Sequence, residues 1–109
     1  MAEIGIDILE LDRLACPKSS FINHVLSPEE IKVYETYKDN RCIEFLGGRF
    51  AAKEAIIKCL SDIEIPNMKD ITILDNEKGK PIVKYKDYKL KVSISHEKHY
   101  ACAIAMLEQ

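Results

Sequence analysis

The sequence has no apolar run long enough to cross a bilayer, no basic excess, no paired-cysteine motif and no low-complexity tract. Its longest apolar stretch, residues 100–107, is eight residues, against roughly 20 for a spanning helix, so no membrane segment is expected. Residues 1–5 offer neither a basic leader nor a hydrophobic core, so no secretion signal is expected. Sixteen basic against eighteen acidic side chains give a formal charge of -2, which leaves no global electrostatic argument for nucleic acid. Cys16, Cys42, Cys59 and Cys102 are scattered without CxxC spacing. Reduced, buried thiols in a cytoplasmic protein are therefore expected, with a disulfide framework or a zinc site as the alternative. With no repeat visible and 47% of residues hydrophobic, residues 1–109 read as one ordered domain whose small core favours association.

What is present is a stretch at residues 45–60, FLGGRFAAKEAIIKCL. At about 100° per residue its apolar side chains, among them Phe45, Leu46, Phe50, Ile56, Ile57 and Leu60, cover much of a helical cylinder. A helix apolar on so many sides is normally buried. Arg49, Lys53, Glu54 and Lys58 are set into it, and charges in such surroundings need a partner, a metal or a ligand. Glu54 and Lys58, like Arg49 and Lys53, are four apart and share a face. Elsewhere, acidic residues dominate positions 1–12 and six lysines crowd positions 78–91. The lysines suit either an anionic ligand or a solvated strand edge.

Along the chain, Ile4, Ile6 and Ile8 alternate with Gly5, Asp7 and Leu9, which predicts a strand over residues 3–9 with Asp7 opposite the isoleucines. Asp7 is then either a solvated carboxylate near a strand end or a ligand-binding one. A short helix is predicted after Ser19 or Ser20. Ser27, Pro28 and Glu30 spell a capping box, so a second helix is predicted over residues 28–37. Asn40 is the predicted cap of the long helix, which ends near Leu60. Gly47 and Gly48 mark either a close approach or an irregular first turn. Short strands follow near 71–74, 81–85, 90–95 and 100–107, joined by turns that favour antiparallel pairing. The expected class is α+β: a helical first half with a long buried helix, packed on a mostly antiparallel β-sheet.

Ser93 and Ser95 share one strand face beside His96, whereas His99 reads as a surface residue. A Ser/His hydrolytic arrangement lacks its GxSxG elbow; hydroxyls, imidazole and lysines suit phosphate oxygens instead. Two separated carboxylates with several bases fit a magnesium-dependent site for a phosphorylated ligand.

Gly-Ile-Asp-Ile at 5–8, Phe-x-x-x-Val-Leu-Ser-x-x-Glu at 21–30, Arg-Phe-Ala-Ala-Lys-Glu-Ala at 49–55, Gly-Lys-Pro at 79–81 and Ser-Ile-Ser-His-Glu at 93–97 together resemble bacterial holo-acyl-carrier-protein synthases. The resemblance implies transfer of 4'-phosphopantetheine from coenzyme A to a serine of apo-acyl carrier protein, releasing adenosine 3',5'-bisphosphate, in cytoplasmic fatty acid biosynthesis. It implies Mg2+ held by Asp7 and Glu54, pyrophosphate contacted by Lys58, and Arg49 and Lys53 near the nucleotide. Gly79, Lys80 and Pro81 fall on the loop beside the adenine, and Ser95 and His96 on the 3'-phosphate contacts. Arg13, Phe21 and His24 fall on the carrier-protein contact, with His24 and Ser27 standing where the family usually has Arg and Thr. The resemblance also implies a homotrimer with sites between subunits. A carboxylate, Glu54 or Asp7, is the implied route for the serine proton. A metal-dependent nucleotide hydrolase and a noncatalytic carrier- or coenzyme-A-binding module are the rival readings.

Overall fold

The computed structural model describes residues 2–108. In chain order it has β1 (Ala2–Glu10), α1 (Ser19–Val25), α2 (Pro28–Tyr34), α3 (Asn40–Leu60), β2 (Thr72–Asp75), β3 (Pro81–Lys84), β4 (Lys89–His96) and β5 (Tyr100–Glu108). Short 3-10 turns lie at Leu11–Leu14 and Met68–Asp70. One antiparallel sheet runs β1-β5-β4, and β2 and β3 pair as a separate antiparallel hairpin. The class is α+β, as the residue patterns predict. No helix is long and apolar enough to cross a membrane among the described residues.

α3 lies against one face of the three-stranded sheet. Its Ala51, Ala52, Ala55, Ile56 and Leu60 are fully buried and pack with Leu90, Val92, Ala103, Ala105 and Leu107. Each large aliphatic side chain so buried contributes about 2 kcal/mol. The alanines on β5 leave room for the helix axis to come close. Gly5 takes that closeness to its limit: a Cβ there would stand 2.0 Å from the Ala55 carbonyl oxygen. Gly47 does the same for the Leu11 side chain, at 2.3 Å. The glycines inside α3 therefore mark close approach, not an irregular first turn.

The alternation along β1 is as predicted, and Gly5 and Leu9 turn toward α3. The isoleucines are the exposed face, with Ile4, Ile6 and Ile8 at 64%, 62% and 67% exposure. Ile104 and Met106 of β5 share that outer face, and so does Cys102, which corrects the expectation of a buried thiol. Cys59 is buried, and all four thiols are free.

The capping box of α2 is present: Ser27 Oγ accepts from the Glu30 amide, and Glu30 Oε1 accepts from the Ser27 amide. The helix stops at Tyr34, three residues short of expectation, as Thr36 and Tyr37 turn back onto the carbonyls of Val33 and Tyr34. Asp39, not Asn40, precedes α3, with φ +56° and no side-chain cap; its carbonyl accepts from the Cys42 amide.

Glu30 does more than cap. Its Oε1 also accepts from Lys53 Nζ and its Oε2 from the Ile73 amide, while Lys53 donates to the carbonyls of Val25 and Met68. Both charged side chains are wholly buried. Burial pushes the Lys53 ammonium below the ordinary lysine range, and Glu30 opposes that shift. Beyond α3, the Glu64 carboxylate accepts from the Tyr85 and Tyr88 hydroxyls and from Lys86 Nζ, tying the end of the helix to the β3–β4 connection. Those hydrogen bonds, the Tyr85 hydroxyl first, hold Glu64 down at about 2.

Candidate functional site

The close crossing of β1 over α3 puts Asp7 beside the last turns of the helix, because Gly5, two residues earlier on the same face, leaves no room for a Cβ before Ala55 and Lys58. Lys58 Nζ stands 3.8 Å from Asp7 Oδ1 and donates to the Ile6 carbonyl at 2.6 Å. Asp7 is 20% exposed. Its carboxyl lies above the usual range because it is desolvated; Lys58 and the Ile8 amide only partly offset that. Glu54, one turn before Lys58 on the same helix face, is half-buried. Among the described residues no three His, Cys, Asp or Glu side chains cluster as a self-sufficient metal cage.

A second feature opens near the start of α3, where a cleft of about 230 Å³ is bounded by that helix, the hairpin tip and the end of β4. Arg41, Phe45 and Arg49 recur every four residues along the helix and line it together. Gly48, carrying no side chain, leaves space before Ile94, which a Cβ would approach to 3.2 Å. Gly79 and Pro81 form the hairpin wall and His96 closes the β4 end. Arg49 is nearly buried: Nε donates to the Ile73 carbonyl at 3.0 Å, Nη2 to Asp75 Oδ1 at 3.1 Å, and the guanidinium lies 4.3 Å over the Phe45 ring. Glu44 sits between two other side chains of the cleft, 3.7 Å from Arg41 Nη1 and 3.8 Å from His96 Nδ1.

The structure thus brings Arg49, Gly79, Pro81 and His96 together, and separately Asp7 and Lys58. It does not bring Lys53 to either place. All three of its ammonium donors are spent inside the fold, so its expected ligand contact is corrected to a structural one. Ser95 points to the outer face of the sheet, since strand neighbours alternate and Val92 and Ile94 face the helix. Lys80 lines a groove on that outer face with Lys91 and Ser93, away from the cleft. Residue types alone missed Arg41, Glu44 and Asp75; the four-residue spacing of Arg41, Phe45 and Arg49 was the available signal for the first.

A third cleft, about 340 Å³, lies beside Leu9, the next residue after Asp7 on the inward face of β1. Arg13, Lys18, Phe21 and Phe50 line it, with the two phenyl rings 5.7 Å apart. His24 is exposed on α1. The largest cavity, about 560 Å³, adjoins the second cleft across Glu44. It gathers none of the residues the resemblance assigns to the site, and its His99 is engaged by Asp12 at 3.4 Å. His99 is exposed, as expected of a surface residue.

Two guanidinium groups, each facing a carboxylate, line the second cleft on the same helix as the Glu54–Lys58 turn. The family model of the 4'-phosphopantetheinyl transferase superfamily matches residues 3–105. The chain belongs to that superfamily. It is 42% identical to the holo-[acyl-carrier-protein] synthase of Geobacillus sp. (strain WCH70), covering 97% of this chain and 95% of that one. The synthase of Oceanobacillus iheyensis is 39% identical, covering 96% and 94%. A crystal structure of the holo-(acyl-carrier-protein) synthase of Bacillus anthracis str. Ames, in complex with CoA (3',5'-ADP), superposes with a TM-score of 0.86 at 35% identity over 96% of this chain and 94% of that chain.

Proposed function

We propose that this chain transfers 4'-phosphopantetheine from coenzyme A to a serine of apo-acyl carrier protein, giving holo-carrier and adenosine 3',5'-bisphosphate. The observation that carries the reading is the joint presence, on α3, of a cleft lined by Arg41, Arg49 and His96 and of a carboxylate–lysine turn beside β1. The first suits the nucleotide end of coenzyme A, the second its pyrophosphate. Full-length similarity to synthases supports it.

Magnesium fits Asp7 and Glu54. Both are hard oxygen donors, and a divalent cation would relieve the desolvated charge of Asp7. Two carboxylates suffice where waters and substrate phosphates complete the shell. When bound, the ion supplies charge stabilisation to the phosphates. The chain's own residues do the rest. Lys58, held by the Ile6 carbonyl, offsets charge on the pyrophosphate as the bond to the bisphosphate breaks. Arg49, rigid over Phe45, and His96 fix the nucleotide end, so the reacting phosphorus is presented in one place. The carrier serine attacks that phosphorus, the bisphosphate leaves, and one carboxylate, Glu54 or Asp7, takes up the serine's proton. The cleft lined by Arg13 and Phe21 meets the carrier, with Arg13, Lys18 and His24 supplying basic groups for an acidic partner.

The exposed isoleucine face of the sheet supports a homotrimer with shared sites, since a contiguous apolar patch marks an interface. Ser95 and Lys80, both directed to that side, would then serve a neighbouring subunit's ligand. Cytoplasmic lipid metabolism is the setting this reaction implies.

Release of bisphosphate from coenzyme A, followed with and without apo-carrier, tests the reading. Release only with the carrier is expected; carrier-independent release identifies a hydrolase, and none in either case leaves a binding module.

A further inference from the structure

We infer that Asp75 is a positioning residue of the nucleotide cleft with a second effect: it fixes the Arg49 guanidinium and, through its charge, weakens the cleft's hold on the phosphorylated product. The inference rests on the proposed function, because it concerns what occupies that cleft.

Both guanidinium groups of the cleft already face a carboxylate. Arg49 meets Asp75 at 3.1 Å and Arg41 faces Glu44, which also lies beside the His96 imidazole. The two carboxylates differ in how they are held. Glu44 is partly exposed, and its contacts are long, 3.7 and 3.8 Å. Asp75 is the last residue of β2, in register with Pro81 across the hairpin. Its neighbour Asn76 locks the turn by accepting from the Lys78 and Lys80 amides at 2.9 Å each. Arg49 is equally constrained, with Nε on Ile73, Nη2 on Asp75 and its face on Phe45. The backbone that carries Asp75 and the Arg49 guanidinium are both held in place by contacts within the fold.

A phosphate reaching the remaining donors of Arg49 therefore comes close to a fixed negative charge. That arrangement orients the guanidinium and also lowers affinity for any polyanion. In a transferase whose product keeps its phosphates, such a counter-charge favours release. Uniform tight binding of substrate and product would do nothing for turnover. Asp75 is 38% exposed, so solvent screens the repulsion and its size is modest.

Asp75→Asn separates the two effects: the amide oxygen still accepts from Arg49 Nη2, but the charge is gone. Titration calorimetry of the full chain with adenosine 3',5'-bisphosphate and with coenzyme A should show Asp75→Asn binding the bisphosphate roughly fivefold tighter than wild type at low salt. The difference should shrink as salt rises, and product inhibition of turnover should strengthen in parallel. Asp75→Glu, keeping the charge, should stay near wild type. Asp75→Ala, losing acceptor and charge together, should bind less tightly than Asp75→Asn. A purely structural Asp75 would give weaker binding and a lower melting temperature in every variant, never a tighter complex. If wild type binds both ligands and Asp75→Asn binds the bisphosphate no tighter, the inference is overturned and the function stands. If wild type binds neither, the functional reading falls and the inference with it.

Discussion

Lys58 Nζ lies 3.8 Å from Asp7 Oδ1 while donating to the carbonyl of Ile6, the residue just before it. The lysine is anchored by backbone, and its ion pair with Asp7 is long. Asp7 is thus left with a charge its surroundings compensate only in part, and its carboxyl is raised.

That relationship has a pH signature. A carboxyl raised in the folded state takes up a proton more readily there than in the unfolded chain. Its contribution to stability is full below the ordinary value of 3.8 and is lost as pH rises through the raised value. Asp7→Asn should therefore melt at or above the wild-type temperature at pH 7, while transfer falls by at least about a hundredfold. Glu64 has the opposite sign: its stabilisation is present above 4.5 and is lost as pH falls toward about 2. Thermal melts across pH 3 to 7 on wild type, Asp7→Asn and Glu64→Gln check the signs, and an Asp7→Asn protein much less stable than wild type at neutral pH contradicts the first.

The crossing of β1 over α3 depends on a missing side chain. Gly5→Ala places a methyl 2.0 Å from a backbone oxygen, which neither partner can vacate cheaply. A loss of about 1–3 kcal/mol is expected from such overpacking, measured by urea denaturation, together with reduced transfer as Asp7 shifts from Lys58. Gly79→Ala meets nothing within 4 Å and should cost only the strain of its φ of +82°, about 1 kcal/mol.

Lys53 provides a sharper separation of structure from binding. Lys53→Met leaves Glu30 charged, buried and without its cation, which should cost about 3–5 kcal/mol. Coenzyme A affinity of the folded molecules should be unchanged. Arg49→Lys should do the reverse, with a smaller stability loss and weaker coenzyme A binding, because a lysine cannot make both side-on hydrogen bonds and stack on Phe45. Denaturation midpoints and calorimetry on the two variants decide it.

The outer sheet face predicts an assembly. Ile6→Lys, at a residue 62% exposed in the single chain, should convert a trimer to monomers in sedimentation velocity. A wild-type chain that sediments as a monomer at micromolar concentration would remove the trimer from the account.

Much of this was legible in the residue order, and the failures have physical causes. The parity of Ile4, Ile6 and Ile8, the capping box of Ser27 and Glu30, and the end of α3 at Leu60 depend on local geometry, which sequence records. Which face of β1 is buried does not, because it was settled by how closely Gly5 lets the helix approach. The Lys53 error has the same origin. Its partner Glu30 is 23 residues away and was already occupied, by local rules, as a helix cap. Ser95 and His96 are adjacent in sequence and, being strand neighbours, face opposite ways. Asp75 carried no motif at all; only the fold sets it against Arg49.

The most direct test of the central claim is the intact mass of an apo-acyl carrier protein after incubation with this chain, coenzyme A and magnesium. The account predicts a carrier heavier by one phosphopantetheine on its serine, and no such gain with Asp7→Asn. An unchanged carrier mass, with the enzyme folded and the metal present, would contradict it.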